Sequence, residues 1–247
     1  MEQIYTIPVN EAFEKSMEEG SHICPFCIMY NRLEANELDL ILGASMMEPD
    51  VRIKTNELGF CDEHLGLMFG RGKRLQLTLM LESHLNEIAD DISGNMSSLL
   101  IGRTGEGAAK RLDKLEHSCY ICDRIEYNFS RMIEVAALLW QSDVKFREKA
   151  AGAPYFCLKH YGRFIRAAKE RMNRHDFAEF YRAMNEVEKV YFDKLRADVS
   201  WFCKKFDYRY ENEPWGDAKD APERARRFLG GTLHVYEDTK KPSDGLT

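Results

Sequence analysis

The chain has 247 residues, of which 44% are hydrophobic and 31% charged, and a formal net charge of −6. That composition excludes a disordered chain, and the acidic balance weighs against a general nucleic-acid binder. No stretch approaches the roughly 18 apolar residues of a membrane span, and Glu2, Glu11, Glu14, Glu18 and Glu19 stand where a signal segment would need an apolar core. The expectation is a cytoplasmic protein with no membrane association, in which paired cysteines serve as metal ligands rather than disulfides.

Taken in order, residues 8–19 read as a short helix, with Pro8 in its first turn and Val9, Ala12, Phe13 and Met17 on one stripe. A second helix opens at Cys24-Pro25-Phe26-Cys27 and runs to about Gly43. Residues 44–60, with Pro49, Val51, Ile53 and Gly59, read as a short helical end and then an ordered connection. Cys61 begins the next helix, which bends at Gly70-Arg71-Gly72 and continues past Leu85. Residues 91–107 hold four glycines and read as a linker. A helix follows Cys119 as far as Trp140, a connection leads to Pro154, and Cys157 starts another helix. Residues 176–206 form a long amphipathic helix, with Phe177, Phe180, Met184, Val187, Tyr191 and Leu195 at three- and four-residue steps. Pro214-Trp215-Gly216 is a turn, 221–229 a last short helix, and 231–247 a flexible tail.

One pattern is written twice along this course. Cys24 and Cys27 are followed, after 33 intervening residues, by Cys61 and His64; Cys119 and Cys122 are followed, after 34, by Cys157 and His160. The flanks repeat as well. His22 and His117 each stand two residues before a first cysteine, Phe60 and Phe156 precede Cys61 and Cys157, and Asp50-Val51-Arg52-Ile53-Lys54 is similar to Asp143-Val144-Lys145-Phe146-Arg147. The reading is an internal duplication with a period of about 95 residues. The expected fold is all-α: a first metal-stapled module at 1–95, a linker at 96–110, a second module at 111–175, and the long and terminal helices at 176–230.

A CxxC or CxxH at a helix start places two ligands around one turn, where free N–H groups and the helix dipole favour thiolate over thiol. Two such pairs complete a tetrahedron. Three thiols and one imidazole suit zinc best, with iron–sulfur clusters second. The expected cofactors are two zinc ions, on Cys24, Cys27, Cys61 and His64 and on Cys119, Cys122, Cys157 and His160. A ligand set crossed between the copies, with Cys24 and Cys27 meeting Cys157 and His160, requires an interwoven duplication and is the second choice. His22 and His117 are candidate partners of the ligands. No HExxH, Gly-rich phosphate loop or GxSxG occurs. Cys203 stands outside the pattern and reads as an ordinary helix-face residue.

Three functions follow. The first is a non-enzymatic interaction or regulatory module with two structural zinc sites and a protein partner or a second copy bound to it. The second is an enzyme or redox protein with reactive metal–thiolate or iron–sulfur sites; a candidate surface for it is the connection bearing Asp50, Arg52, Thr55 and Asn56. The third, not favoured, is nucleic-acid binding by the basic helix after His160, through Arg163 and Arg166.

Met47-Glu48-Pro49-Asp50-Val51-Arg52, Thr55-Asn56, Gly59-Phe60-Cys61, Phe206-Asp207-Tyr208-Arg209 and Pro214-Trp215-Gly216 occur in that order. Together with the cysteine pairs they resemble a bacterial, clostridial-type family of helical proteins carried under a domain-of-unknown-function label. The resemblance covers residues 8–230. It implies an all-helical protein and brings no activity with it.

Overall fold

The structure, a computed structural model, describes residues 3–18, 23–93 and 105–235. Among these there are eleven α-helices and no strand: α1 (Thr6–Met17), α2 (Pro25–Ile41), α3 (Pro49–Leu58), α4 (Asp62–Gly70), α5 (Arg74–Ser93), α6 (Glu106–Glu116), α7 (Tyr120–Ser142), α8 (Val144–Ala151), α9 (Leu158–Arg171), α10 (Arg174–Lys204) and α11 (Ala221–Gly230). The chain is all-α, as its apolar periodicity requires.

Two helices stand where connections are expected. α3 begins at Pro49, whose fixed φ suits a first turn. Its β-branched Val51, Ile53 and Thr55 argue weakly for a helix, and burial of Thr55 and Asn56 against neighbouring helices overrides that propensity. α8 is its counterpart in the second copy, capped by the Asp143 side chain, which accepts from the Lys145 N–H at 2.9 Å. The similar Asp-Val pairs thus both lie at helix starts, Asp50 as the second residue of α3 and Asp143 as the cap of α8. The linker expected at 96–110 lies partly outside the described residues, and its end is the first turn of α6.

The chain divides into two compact units, and they are not the modules 1–95 and 111–175. One is Met1–Arg32 with Phe129–Val235; the other, among the described residues, is Leu33–Asn128. The division falls inside α2 and inside α7, so each unit holds elements of both copies.

The core of the first unit is aromatic. Phe13 of α1 meets Phe146 of α8 at 4.7 Å between ring centroids, and Phe26 of α2 meets Phe164 of α9 at 4.9 Å. Phe164 in turn meets Phe180 of α10 edge-on at 4.8 Å. All five rings are buried, and such contacts add to the large area each removes from water. α10 opens at Asn173, whose side-chain oxygen accepts from the N–H groups of His175 and Asp176. At its other end Lys205 Nζ donates to the carbonyls of Tyr210, Glu211 and Glu213, and Trp201 Nε1 donates to the Pro214 carbonyl. The Pro-Trp-Gly turn is thus held by packing and backbone bonds.

In the second unit α3 is tied down through Asn56. Its amide donates to Glu87 at 2.8 Å, its oxygen accepts from Ser83 at 2.9 Å, and its carbonyl accepts from His84 at 3.0 Å and Arg111 at 2.7 Å. Gly59 follows at φ 62°, and a Cβ there would lie 3.1 Å from both His84 and Leu115, so this turn requires glycine. Its carbonyl accepts from the Tyr120 N–H at 3.0 Å, and Ser118 Oγ donates to the Leu58 carbonyl at 2.7 Å. These bonds set the chain before Cys61 beside the start of α7.

Asn56→Ala removes the bonds to Glu87 and Ser83 from a buried side chain. A loss of about 1–3 kcal/mol in chemical denaturation is expected, and an unchanged midpoint would contradict the role given to this side chain.

Candidate metal centres

All four two-ligand motifs are built alike. The first ligand immediately precedes a helix and the second is the helix's third residue: Cys24 and Cys27 on α2, Cys61 and His64 on α4, Cys119 and Cys122 on α7, Cys157 and His160 on α9. These two positions face each other across the first turn, where unpaired N–H groups stabilise negative sulfur.

The motifs assemble crosswise. Cys24, Cys27, Cys157 and His160 form a first centre, in the first unit; Cys61, His64, Cys119 and Cys122 form a second, in the second unit. The within-copy sets expected from the spacing are therefore corrected. The helix after each CxxC carries the chain away from it, and the stretch before the next CxxH holds a further helix instead of an extended connection able to return.

Within each centre the ligand atoms lie within 4.8 Å of one another. In the first, Cys27 and Cys157 sulfurs are 3.7 Å apart, and His160 Nδ1 lies 3.3 Å from Cys157, 3.5 Å from Cys27 and 3.8 Å from Cys24. In the second, Cys61 and Cys122 sulfurs are 3.9 Å apart, and His64 Nδ1 lies 3.1 Å from Cys61, 3.3 Å from Cys122 and 3.4 Å from Cys119. A tetrahedral ion with bonds of about 2.3 Å to sulfur and about 2.0 Å to nitrogen has edges of about 3.8 and 3.5 Å. The sulfur–sulfur distances of 3.7 and 3.9 Å and the nitrogen–sulfur distances of 3.1 to 3.8 Å lie near these values.

The ionisation of the thiols fits a cation as well. In the first centre, hydrogen bonds from Cys24 and Cys27 hold the Cys157 thiol far below its usual range. Burial pushes Cys24 well up, and the bond to Cys157 takes Cys27 to about 12. In the second, the bond from Cys122 draws Cys119 down to about 3 and drives Cys122 far up. Cys157 and Cys119 thus carry a negative charge readily, while Cys24, Cys27 and Cys122 resist one. Three thiolates need a positive ion between them.

The two centres differ around their ligands. All four ligands of the first are buried, and the Thr232 N–H donates to Cys27 Sγ at 3.3 Å. Residue 231 passes the sulfurs at φ 83°, a conformation that favours glycine, and a Cβ there would lie in ordinary contact with Cys157 Sγ at 3.4 Å and Cys27 Sγ at 3.5 Å. The start of the expected loose tail is thus part of this centre, while residues 236–247 lie outside the described residues. The His160 ring is flanked edge-on by Phe26 at 6.1 Å and Phe129 at 5.1 Å. In the second centre Cys61 and Cys122 are only half-buried. His64 Nε2 bonds the carboxylate of Glu34, which is fully buried, at 3.0 Å. Burial works against a charged His64, yet the bonds to Cys119 and Glu34 outweigh it and raise its pKa to about 10. With an ion on Nδ1, the same geometry has Nε2–H donating to Glu34, the carboxylate–histidine–metal arrangement. Sequence reading missed Glu34; its signal was an acidic residue at an interior helix position that apolar neighbours mark as buried.

The other candidates fall elsewhere. His22 lies outside the described residues. His117 is exposed and bonds the Asp113 carbonyl of its own helix at 2.8 Å, away from the ligands. Thr55 and Asn56 are buried structural residues. Asp50 lines a small cavity in the second unit with Glu37, Lys54, Tyr120 and Arg124; Arg52 is partly buried beside it in sequence. On α9, Arg163 lies over the Phe129 ring at 4.9 Å, Arg171 pairs with Glu134, and Arg166 is exposed. The basic run is therefore partly engaged in packing.

A family of unknown function, DUF6062, matches residues 1–236 of the chain. No curated protein and no solved structure matches it.

Behind the first centre, Glu188 accepts from the Phe156 N–H at 2.7 Å, and its second oxygen is buried without a hydrogen-bond partner. Burial, reinforced by the Cys157 charge, raises its pKa from 4.5 to about 8. Between those values the folded chain holds a proton that the unfolded chain releases, so this group makes stability fall as pH rises through that window. Glu188→Gln keeps an acceptor for Phe156 and removes the titration. Its Tm should gain on that of the original protein between pH 5 and pH 8; parallel Tm profiles would contradict a raised carboxyl.

Proposed function

Since the chain belongs to DUF6062, a family of unknown function, we propose its role from the centres themselves: a zinc-binding helical protein whose two Cys3His sites are structural, serving as a non-enzymatic interaction or regulatory module. The observation that carries this reading is that each centre gathers four protein ligand atoms within 4.8 Å of one another, a full set for a tetrahedral ion, whereas a catalytic zinc keeps a position open for water. Zinc is favoured over an iron–sulfur cluster because three thiolates and one imidazole close around a single ion at these distances. A reducing, cytoplasmic setting suits thiols that remain free of disulfides. A protein partner or a second copy suits an acidic chain whose α5 leaves Leu75, Leu85 and Ile92 exposed.

The reading is tested by metal content. Purified protein should hold two zinc ions per chain, with no visible band near 400 nm (an approximate marker of iron–thiolate sites). A strong chelator should strip the metal and lower helicity and Tm together, because binding energy in such sites is folding energy. The crossing has its own test. Cys24→Ser with Cys157→Ser should leave one zinc per chain, and Cys24→Ser with Cys61→Ser should leave none. The opposite pattern would restore the within-copy sets, and full stability without metal would remove the structural role.

A further inference from the structure

The two centres have the same ligands and different surroundings, and the difference has a chemical direction. In the first, every ligand is buried, the Thr232 N–H is spent on Cys27 sulfur, and the Gly231 backbone lies over Cys27 and Cys157. An N–H donated to a thiolate withdraws charge from it, and burial denies a reagent any approach. In the second, Cys61 and Cys122 are both half-buried, and their sulfurs are 3.9 Å apart. The Glu34 carboxylate on His64 adds negative charge in a place shut off from water. A Cys3His zinc site already carries a net charge of about −1, and a buried carboxylate bonded to its histidine makes the sulfurs more electron-rich.

We propose that the second centre is an oxidation-responsive metal site: hydrogen peroxide converts Cys61 and Cys122 to a disulfide and releases the ion, while the first centre keeps its own. The proposal rests on both centres holding zinc. The step balances as follows. The Cys122 thiolate attacks one peroxide oxygen; an S–O bond forms, the O–O bond breaks, and hydroxide leaves. The Cys61 thiolate then attacks the Cys122 sulfur; the S–S bond forms, the S–O bond breaks, and a second hydroxide leaves. Two thiolates have lost two electrons, the peroxide has gained them, and an ion left with two of its four ligands departs. The sulfurs need only close from 3.9 Å to about 2.0 Å. The chain then loses the staple between the starts of α4 and α7. The regulated event is the loosening of the second unit, with the first held together.

The experiment uses the full chain loaded with zinc, its metal counted beforehand. Fewer than two ions per chain at that point would defeat the structural-zinc reading itself, before any oxidant is added. With two ions present, hydrogen peroxide is added and zinc release is followed with a chromogenic chelator, while peptide mapping locates the disulfides. One ion per chain should leave at least about tenfold faster than the other, with Cys61 joined to Cys122, and a dithiol reductant plus zinc should restore the count to two. Simultaneous loss of both ions, earlier loss from the first centre, retention of both, or a disulfide confined to Cys119 and Cys122 would each overturn the proposal. Glu34→Gln provides a second reading on folded protein. The neutral amide retains an acceptor for His64 and should slow release from the second centre, and unchanged kinetics would remove Glu34 from the account.

Discussion

Three thiol sulfurs and an imidazole nitrogen confined within 4.8 Å of one another repel one another once ionised and waste buried polar surface when they are not. Cys157 and Cys119 are driven down while Cys24 and Cys122 are driven up, a conflict set by the crowding of the sulfurs. A divalent cation removes the conflict in one step. The rest of the architecture serves to bring four helix starts to two such points. The starts are suited to it because unpaired N–H groups and the dipole already favour negative sulfur there.

The crossing sets how much an ion held at each point would constrain. Cys27 and Cys157 are 130 residues apart, and Cys61 and Cys122 are 61 apart. Within-copy pairing would close loops of about 35 residues. Closing the longer loop removes about 1 kcal/mol more entropy from the unfolded chain. The same separation makes assembly dependent on distant contacts, which slows folding. Neither sequence copy holds a complete set of ligands in its own unit, so a single copy is not a self-sufficient module. The repeated pattern runs in tandem along the sequence, while each unit draws ligand pairs from both halves of it.

Much of this was legible in the residues. The eight ligands stood out because CxxC and CxxH recur at matched spacing, and helix starts at Cys61 and Cys157 followed from the apolar stripes behind them. The long helix beginning at Asn173 was marked by its three- and four-residue aromatic steps. What escaped was whatever depends on distant partners. α3 was hidden by Val51, Ile53 and Thr55, whose local preference is overruled by burial. Asn56 looked like part of a functional surface because its bonds go to residues 83, 84, 87 and 111, which no local pattern connects to it. The crossing escaped because spacing along a chain does not say how far a helix carries its end.

Glu34 and Phe129 bring these points together. Each stands seven residues after the second cysteine of its CxxC, so they occupy the same place in the two copies. Each touches the ligand histidine of the unit it belongs to: Glu34 bonds His64 Nε2, and Phe129 sets its ring edge against His160. One position thus sets the surroundings of a ligand histidine twice over. An aromatic ring there seals the imidazole in an apolar shell and supplies no charge. A carboxylate fixes the tautomer and adds a negative charge that must be compensated. Burying Glu34 completely is costly unless the centre it serves draws something from that charge. The two positions therefore set the centres apart: an apolar wall beside His160 in one unit, and in the other a buried carboxylate on His64 with two half-buried sulfurs near it.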